Sequence, residues 1–215
     1  MNVHDLVALQ RRAYDAERSG ALLSQDSRAV FIQEYHTRRD TLLKLRQMII
    51  DREHEIEQAL YADLGKSSTE SYMTETGIVL SEINFTLKRL KKWMRPKRVR
   101  GSLSTFPGRN YLYPEPFGLV LILAPWNYPF QLSMLPLIGA IAAGNRCILK
   151  PSELAPATAR LLEDMAEHWV KLERAAVLTG GAELSRALLD EKFDYIFFTG
   201  STGIGREVMK KAAEH

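Results

Sequence analysis

The period of hydrophobic positions changes near residue 118. Before that point the spacing is helical. Val3, Leu6, Val7, Leu9 and Ala13 predict a helix over residues 3 to 18, with Ser19-Gly20 as its stop. Residues 28 to 61 read as one long amphipathic helix. Phe31, Tyr35, Leu42, Leu45, Ile49, Ile56 and Leu60 share a face, with Arg, Lys and Glu opposite, and Gly65 ends the run. From Ser71 to Met94, Val79, Ile83, Leu87 and Leu90 recur at steps of three or four and predict a third helix. These helices read as scaffold.

After residue 118 short apolar runs alternate with helical segments. Gly118 to Ala124 has the composition of a parallel strand buried on both faces. Pro125 stops it, Trp126-Asn127-Tyr128-Pro129 makes a turn, and Phe130 to Ala143 is an apolar helix closed by Gly144-Asn145, both tolerant of left-handed backbone. Arg146 to Leu149 is the next strand, followed by the polar turn Lys150-Pro151-Ser152-Glu153. A helix over 156 to 170, a strand from Ala175 to Leu178, the turn Thr179-Gly180-Gly181, and a helix from Glu183 to Leu189 come next. Then follow a strand from Tyr195 to Phe198, the glycine-rich turn Thr199 to Gly205, and a helix from Ile204 to Glu214. The alternation implies an α/β fold, a Rossmann-like parallel sheet with right-handed crossovers, cut short of its usual last strands. Ligands of such sheets bind outside the carboxyl ends of the strands, so the polar turns share one rim. The expected organisation is a helical segment over 1–100, a connecting segment over 101–117, and an incomplete dinucleotide-binding domain over 118–215. In the connection, Tyr111-Leu112-Tyr113 is an edge-strand candidate for a small sheet that reaches a partner subunit.

Composition narrows the class. The 215 residues are 46% hydrophobic and 26% charged, an ordinary globular balance with room for a sizeable core. A net charge of +3 argues for neither nucleic acid nor a membrane surface. The basic run Lys88, Arg89, Lys91, Lys92, Arg95, Lys97, Arg98, Arg100 lacks interleaved aromatics and reads as a solvated helix C-terminus. No signal peptide and no uninterrupted apolar run of about 18 residues is present, which gives a cytoplasmic expectation without a membrane segment. One cysteine excludes an internal disulfide framework.

Three turns carry candidate chemistry. Gly200-Ser201-Thr202-Gly203-Ile204-Gly205 follows a strand and opens a helix, the context of an anion cradle; the competing reading is a turn that only packs helix on strand. Lys150 and Glu153 end the second strand, where an acid receives ribose hydroxyls and a lysine donates to ribose or a phosphate; the competing reading is a helix start, with Ser152 capping and Lys150 solvated. Asn127 is placed to donate its amide to an oxyanion, or bonds its own backbone. Cys147 lies inside a predicted central strand and reads as a small buried hydrophobe, not a nucleophile. His4, His36, His54, His168 and His215 show no metal-ligand spacing.

Taken together these residues resemble the aldehyde dehydrogenase superfamily. The matching motifs are Pro-Trp-Asn-Tyr-Pro at 125–129, Gly-Asn at 144–145 leading into Leu-Lys-Pro-Ser-Glu at 149–153, Gly180-Gly181, and Phe198-Thr199-Gly200-Ser201-Thr202 with Gly205. The stretch from Ala59 to Lys66 and Leu90-Lys91-Lys92-Trp93-Met94 are similar to the class 3 branch of fatty, aromatic and coniferyl aldehyde enzymes. The resemblance covers the first half of the family's usual length. It implies that Asn127 donates to the oxyanion of a thiohemiacetal, and that Ala124, Pro125 and Trp126 line the nicotinamide side of the cleft. Lys150, Ser152 and Glu153 would sit at the adenosine ribose, and Gly180 and Gly181 at the adenine pocket. Gly200, Ser201, Thr202, Gly203, Ile204 and Gly205 would lie at the pyrophosphate. NAD or NADP is the implied cofactor, a small-molecule aldehyde the substrate, and a homodimer the family's assembly. The family's general-base glutamate and nucleophilic cysteine match nothing in this chain, so the short form is expected to lack turnover. Two other readings remain: a non-catalytic dinucleotide-binding or dimerising module, and a short-chain oxidoreductase, which needs a Tyr-x-x-x-Lys pair that the residues after Gly205 do not supply.

Overall fold

The computed structural model describes residues 2–23, 26–169 and 174–215. The first ninety-odd residues form helices, as their period requires, with different breaks. Helix α1 (Val3–Leu23) runs through Ser19-Gly20 instead of stopping there. A glycine inside a helix costs only about 1 kcal/mol, and Ala21 to Leu23 continue the pattern. The expected helix over 28–61 is two: α2 (Ser27–Asp51), capped by the Asp26 carboxylate, and α3 (Glu53–Leu64), closed by left-handed Gly65. Arg52 leaves helical geometry at the break and pairs with Glu55 and with Asp164 of the later helix Pro156–Trp169. The third helix comprises α4 (Ser68–Ser71), a π-turn (Tyr72–Thr76) and α5 (Gly77–Met94). The wider turn closes with Gly77 N–H donating to the Tyr72 carbonyl.

Strands β1 (Lys97–Val99) and β2 (Asn110–Leu112) pair antiparallel, Arg98 opposite Tyr111. The basic run therefore passes from a helix end into an exposed hairpin, and the edge strand predicted around Tyr111 is present one residue early.

Residues from 118 on build the sheet: β3 (Leu119–Leu123), α6 (Gln131–Ala143), β4 (Arg146–Lys150), α7 (Pro156–Trp169), β5 (Ala175–Val177), α8 (Ala182–Leu189), β6 (Tyr195–Phe198) and α9 (Thr202–Ala212). Residue 170, the predicted end of α7, and the His168 side chain lie outside the described residues. All pairings are parallel, in the order β5-β4-β3-β6. That is the third-second-first-fourth order with which a doubly wound fold begins, and the strand order reverses between β3 and β6. Alternate side chains feed two cores. Val120, Ile122, Cys147, Leu149 and Ala175 pack toward α2, α3, α5, α6 and α7. Leu119, Leu121, Leu123, Ile148 and Ala176 pack toward α1, α8 and α9. Of the predicted stop Gly144-Asn145, Gly144 is left-handed, and the buried Asn145 amide oxygen accepts the Gly118 N–H at 3.0 Å.

Candidate functional site

The strand ends are in register. Leu123 lies opposite Lys150 on one side and Phe198 on the other, and the ladder continues into the turns. Ala124 N–H donates to Lys150 O at 3.1 Å, Thr199 N–H to Leu123 O at 3.1 Å, and Leu178 N–H to Leu149 O at 2.9 Å. Four turns thus leave one rim side by side. At roughly 4.8 Å per strand they span about 14 Å. The rim brings together Ala124, Pro125, Trp126 and Asn127 after β3, Lys150, Ser152 and Glu153 after β4, Gly180 and Gly181 after β5, and Gly200 to Gly205 after β6.

The first turn is held from the helical layer. Asn127 is exposed, but its carbonyl accepts from Lys66 Nζ at 3.4 Å, and that ammonium lies 4.1 Å from the centre of the Tyr128 ring. The Glu75 carboxylate, wholly buried, accepts from Phe130 N–H at 3.0 Å and Gln131 N–H at 2.8 Å, at the start of α6.

The second turn departs from the helix-start reading. Lys150 is not solvated: it is the last residue of β4, 4% exposed, with Nζ 2.5 Å from Glu153 Oε2. Partial burial opposes ionisation of Glu153, yet this hydrogen bond holds its carboxyl below the usual range. Ser152 does not cap α7. Its hydroxyl accepts from Leu154 N–H, and the α7 cap is Asp63, whose two oxygens accept from Ala157 N–H at 2.9 Å and Thr158 N–H at 2.8 Å.

The glycine-rich stretch is shorter as a turn than the sequence suggests, because Thr202, Gly203, Ile204 and Gly205 already belong to α9. Ser201 is its N-cap, with its hydroxyl accepting from Ile204 N–H. Gly200 and Gly205 pack against the Phe198 ring, so part of the packing reading holds for them. A Cβ at Gly203 or Gly181 would meet nothing among the described residues within 4 Å. The helices starting at the rim therefore differ. The free N–H groups of α6 and α7 already face carboxylates of the protein, and α8, which starts at Gly181 without a side-chain cap, carries Glu183 in its first turn, whereas α9 presents its positive end, exposed glycine backbone, a serine cap and no acid in its first turn. Charge and space both suit an anion at α9.

A family model described as "Aldehyde dehydrogenase family" matches residues 23–215. The chain belongs to the aldehyde dehydrogenase family. Aldehyde dehydrogenase family 3 member H1 of Arabidopsis thaliana is 45% identical over 181 residues, 84% of this chain and 37% of that protein. The substrate-bound state of Staphylococcus aureus AldH superposes with a TM-score of 0.89 at 40% identity, over 100% of this chain and 44% of that one. The Mycobacterium tuberculosis aldehyde dehydrogenase complexed with NAD+ gives 0.77 at 26% identity, over 97% of this chain and 40% of that one. The chain thus spans about two fifths of the length of these relatives, and its similarity to family 3 agrees with the class 3 resemblance of its motifs.

In this aldehyde dehydrogenase chain the one cysteine is not a site residue. Cys147 is fully buried in β4, and burial pushes its thiol up to about 12. Among the described residues no three metal-binding side chains gather, and no helix is long and apolar enough to cross a membrane. A cleft of about 540 Å³ lies at the opposite end of the sheet, lined by Tyr14, Arg38, Pro116, Gly144 and Arg174. Its cations Arg38, Arg174 and Arg18 are engaged by Glu34, Glu17 and Glu115 and do not contribute to the rim. Sequence reasoning missed Asp63, Lys66 and Glu75. Each sits near a helix boundary in a segment read as scaffold, and only the fold carries them to the rim.

Proposed function

We propose that this chain is the dinucleotide-binding portion of an NAD(P)-dependent aldehyde dehydrogenase that oxidises an aldehyde to the carboxylic acid, with the cofactor domain at 118–215. The observation that carries the reading is the contrast between helix starts. Glu75 and Asp63 occupy those of α6 and α7, and the exposed start of α9 is left for a pyrophosphate. In this reading Thr202 and Gly203 offer backbone N–H groups to the phosphates, with Ser201, Ile204 and Gly205 around them. Lys150 and Glu153, already paired, turn their remaining hydrogen-bonding capacity to the adenosine ribose, beside Ser152. Gly180 and Gly181 border the adenine. Ala124, Pro125 and Trp126 face the nicotinamide, and Asn127 donates to the oxygen of the reacting carbonyl. NAD or NADP, held by these residues, would supply the hydride acceptor for the carbon of the thiohemiacetal. The nucleophile and general base come from outside this chain, as does the rest of the aldehyde pocket, and the family's homodimer is the proposed assembly.

The test is aldehyde-dependent formation of NADH or NADPH by the purified 215-residue chain, beside the longest reading frame that contains it. The reading expects turnover from the longer product and none from the shorter. Turnover by the short chain that Cys147→Ser abolishes would overturn it.

A further inference from the structure

One buried ion pair of the helical layer brackets the turn that carries Asn127. Glu75 uses both oxygens: Oε1 meets Lys66 Nζ at 2.5 Å, and Oε2 accepts the Phe130 and Gln131 N–H groups. Lys66, 7% exposed, adds the Asn127 carbonyl and the Tyr128 ring. Contacts therefore fall on residues 127, 128, 130 and 131, and Ser133 Oγ closes the set by donating to Pro129 O at 2.6 Å. A helix cap alone needs no such pair, since a neutral serine or asparagine serves. Burying two charges is also no general route to stability, because apolar replacements are often as stable. The carboxylate is delivered by a π-turn, a feature that recurs at functional sites.

We propose that Lys66 and Glu75 are positioning residues for Asn127. They fix the backbone from which its amide extends at the rim, so that the amide meets the substrate oxygen without reorganising. The proposal rests on the reading of Asn127 as oxyanion donor.

The experiment compares Lys66→Met, Glu75→Gln and the double variant in the longest reading frame containing this chain, and in the 215-residue chain itself. Each single change leaves a buried charge unpaired and lowers the urea midpoint; the double variant restores most of that loss. Positioning predicts that kcat nonetheless stays down about tenfold or more in the double variant, with KM for NAD unchanged. A kcat that recovers together with stability overturns the proposal. Hydrogen exchange of the short chain reads the same ordering without needing turnover. The amides of Trp126, Asn127, Tyr128, Phe130 and Gln131 of the double variant exchange about tenfold faster than in the parent, while those of Ile122 and Leu149 keep their rates. Parent rates at the turn amides, or faster exchange at all of these positions, would equally sink it. Absence of turnover in the unsubstituted longer protein would instead remove the reading of function and leave the exchange result to decide positioning.

Discussion

Gly118 sits where no side chain fits. Its φ is +136°, and a Cβ there would collide with the Asp194 carboxylate, which accepts from Leu119 N–H at 2.7 Å. Gly118→Ala combines backbone strain with loss of that contact. Its expected cost is about 1–3 kcal/mol in urea unfolding, without a change in secondary structure. Cys147 makes a pH prediction. Its folded pKa of about 12 lies above the unfolded value of ~8.5, so the folded state holds its proton longer. The stability this contributes is complete below the unfolded value and is lost as pH rises through the window up to the folded one, by up to ~1.4 kcal/mol per unit. The urea midpoint of the parent should fall more steeply above pH 9 than that of Cys147→Ala, and the folded thiol should resist alkylating reagents at pH 8. The burial of Cys147 was legible in its sequence context, an apolar run bounded by a turn. The burial of Lys150 was not, because a lysine at a strand end usually reaches solvent, and its Glu153 partner is a matter of turn geometry.

Elements were legible where period alone decides them. Strand β6 was predicted at its observed limits, and β2 to β5 within a residue, since an apolar run between turn residues has few other uses; β1, inside the basic run, was not predicted. Helix breaks were not. Arg52 interrupts α2 and α3 through ion pairs with Glu55 and Asp164, and the π-turn before Gly77 leaves the hydrophobic spacing of α5 untouched. Caps that come from another layer were invisible for the same reason: Asp63 is ninety-odd residues from the N–H groups it satisfies. Asp63→Ala should therefore destabilise by about 1–2 kcal/mol, with faster exchange at Ala157 and Thr158 first. Ser201→Ala should cost about 1 kcal/mol by uncapping α9. Under the proposed function it also weakens dinucleotide binding, which Asp63→Ala does much less. Equal weakening by both would mean that α9 is not the phosphate site.

At the scale of the molecule, two cores clamp the sheet from its two faces and leave one edge open. Strands β3 and β4 are buried throughout, whereas on β6 Tyr195 and Phe197 are 46% and 38% exposed. An edge strand presents unpaired backbone N–H and C=O groups on which a further strand can pair. The relatives are more than twice as long as this chain. What the described residues complete by themselves is the rim, from β5 across β4 and β3 to β6. Its four turns converge through strand register, which the sequence motifs implied and the parallel ladder makes geometric. The most direct test is a calorimetric titration of the 215-residue chain with NAD and with NADP, paired with urea unfolding at saturation. The account predicts one saturable site, a stability gain of about 2.7 kcal/mol at a hundredfold excess over Kd, and weaker binding in Ser201→Ala. No heat and no protection by either dinucleotide would contradict it.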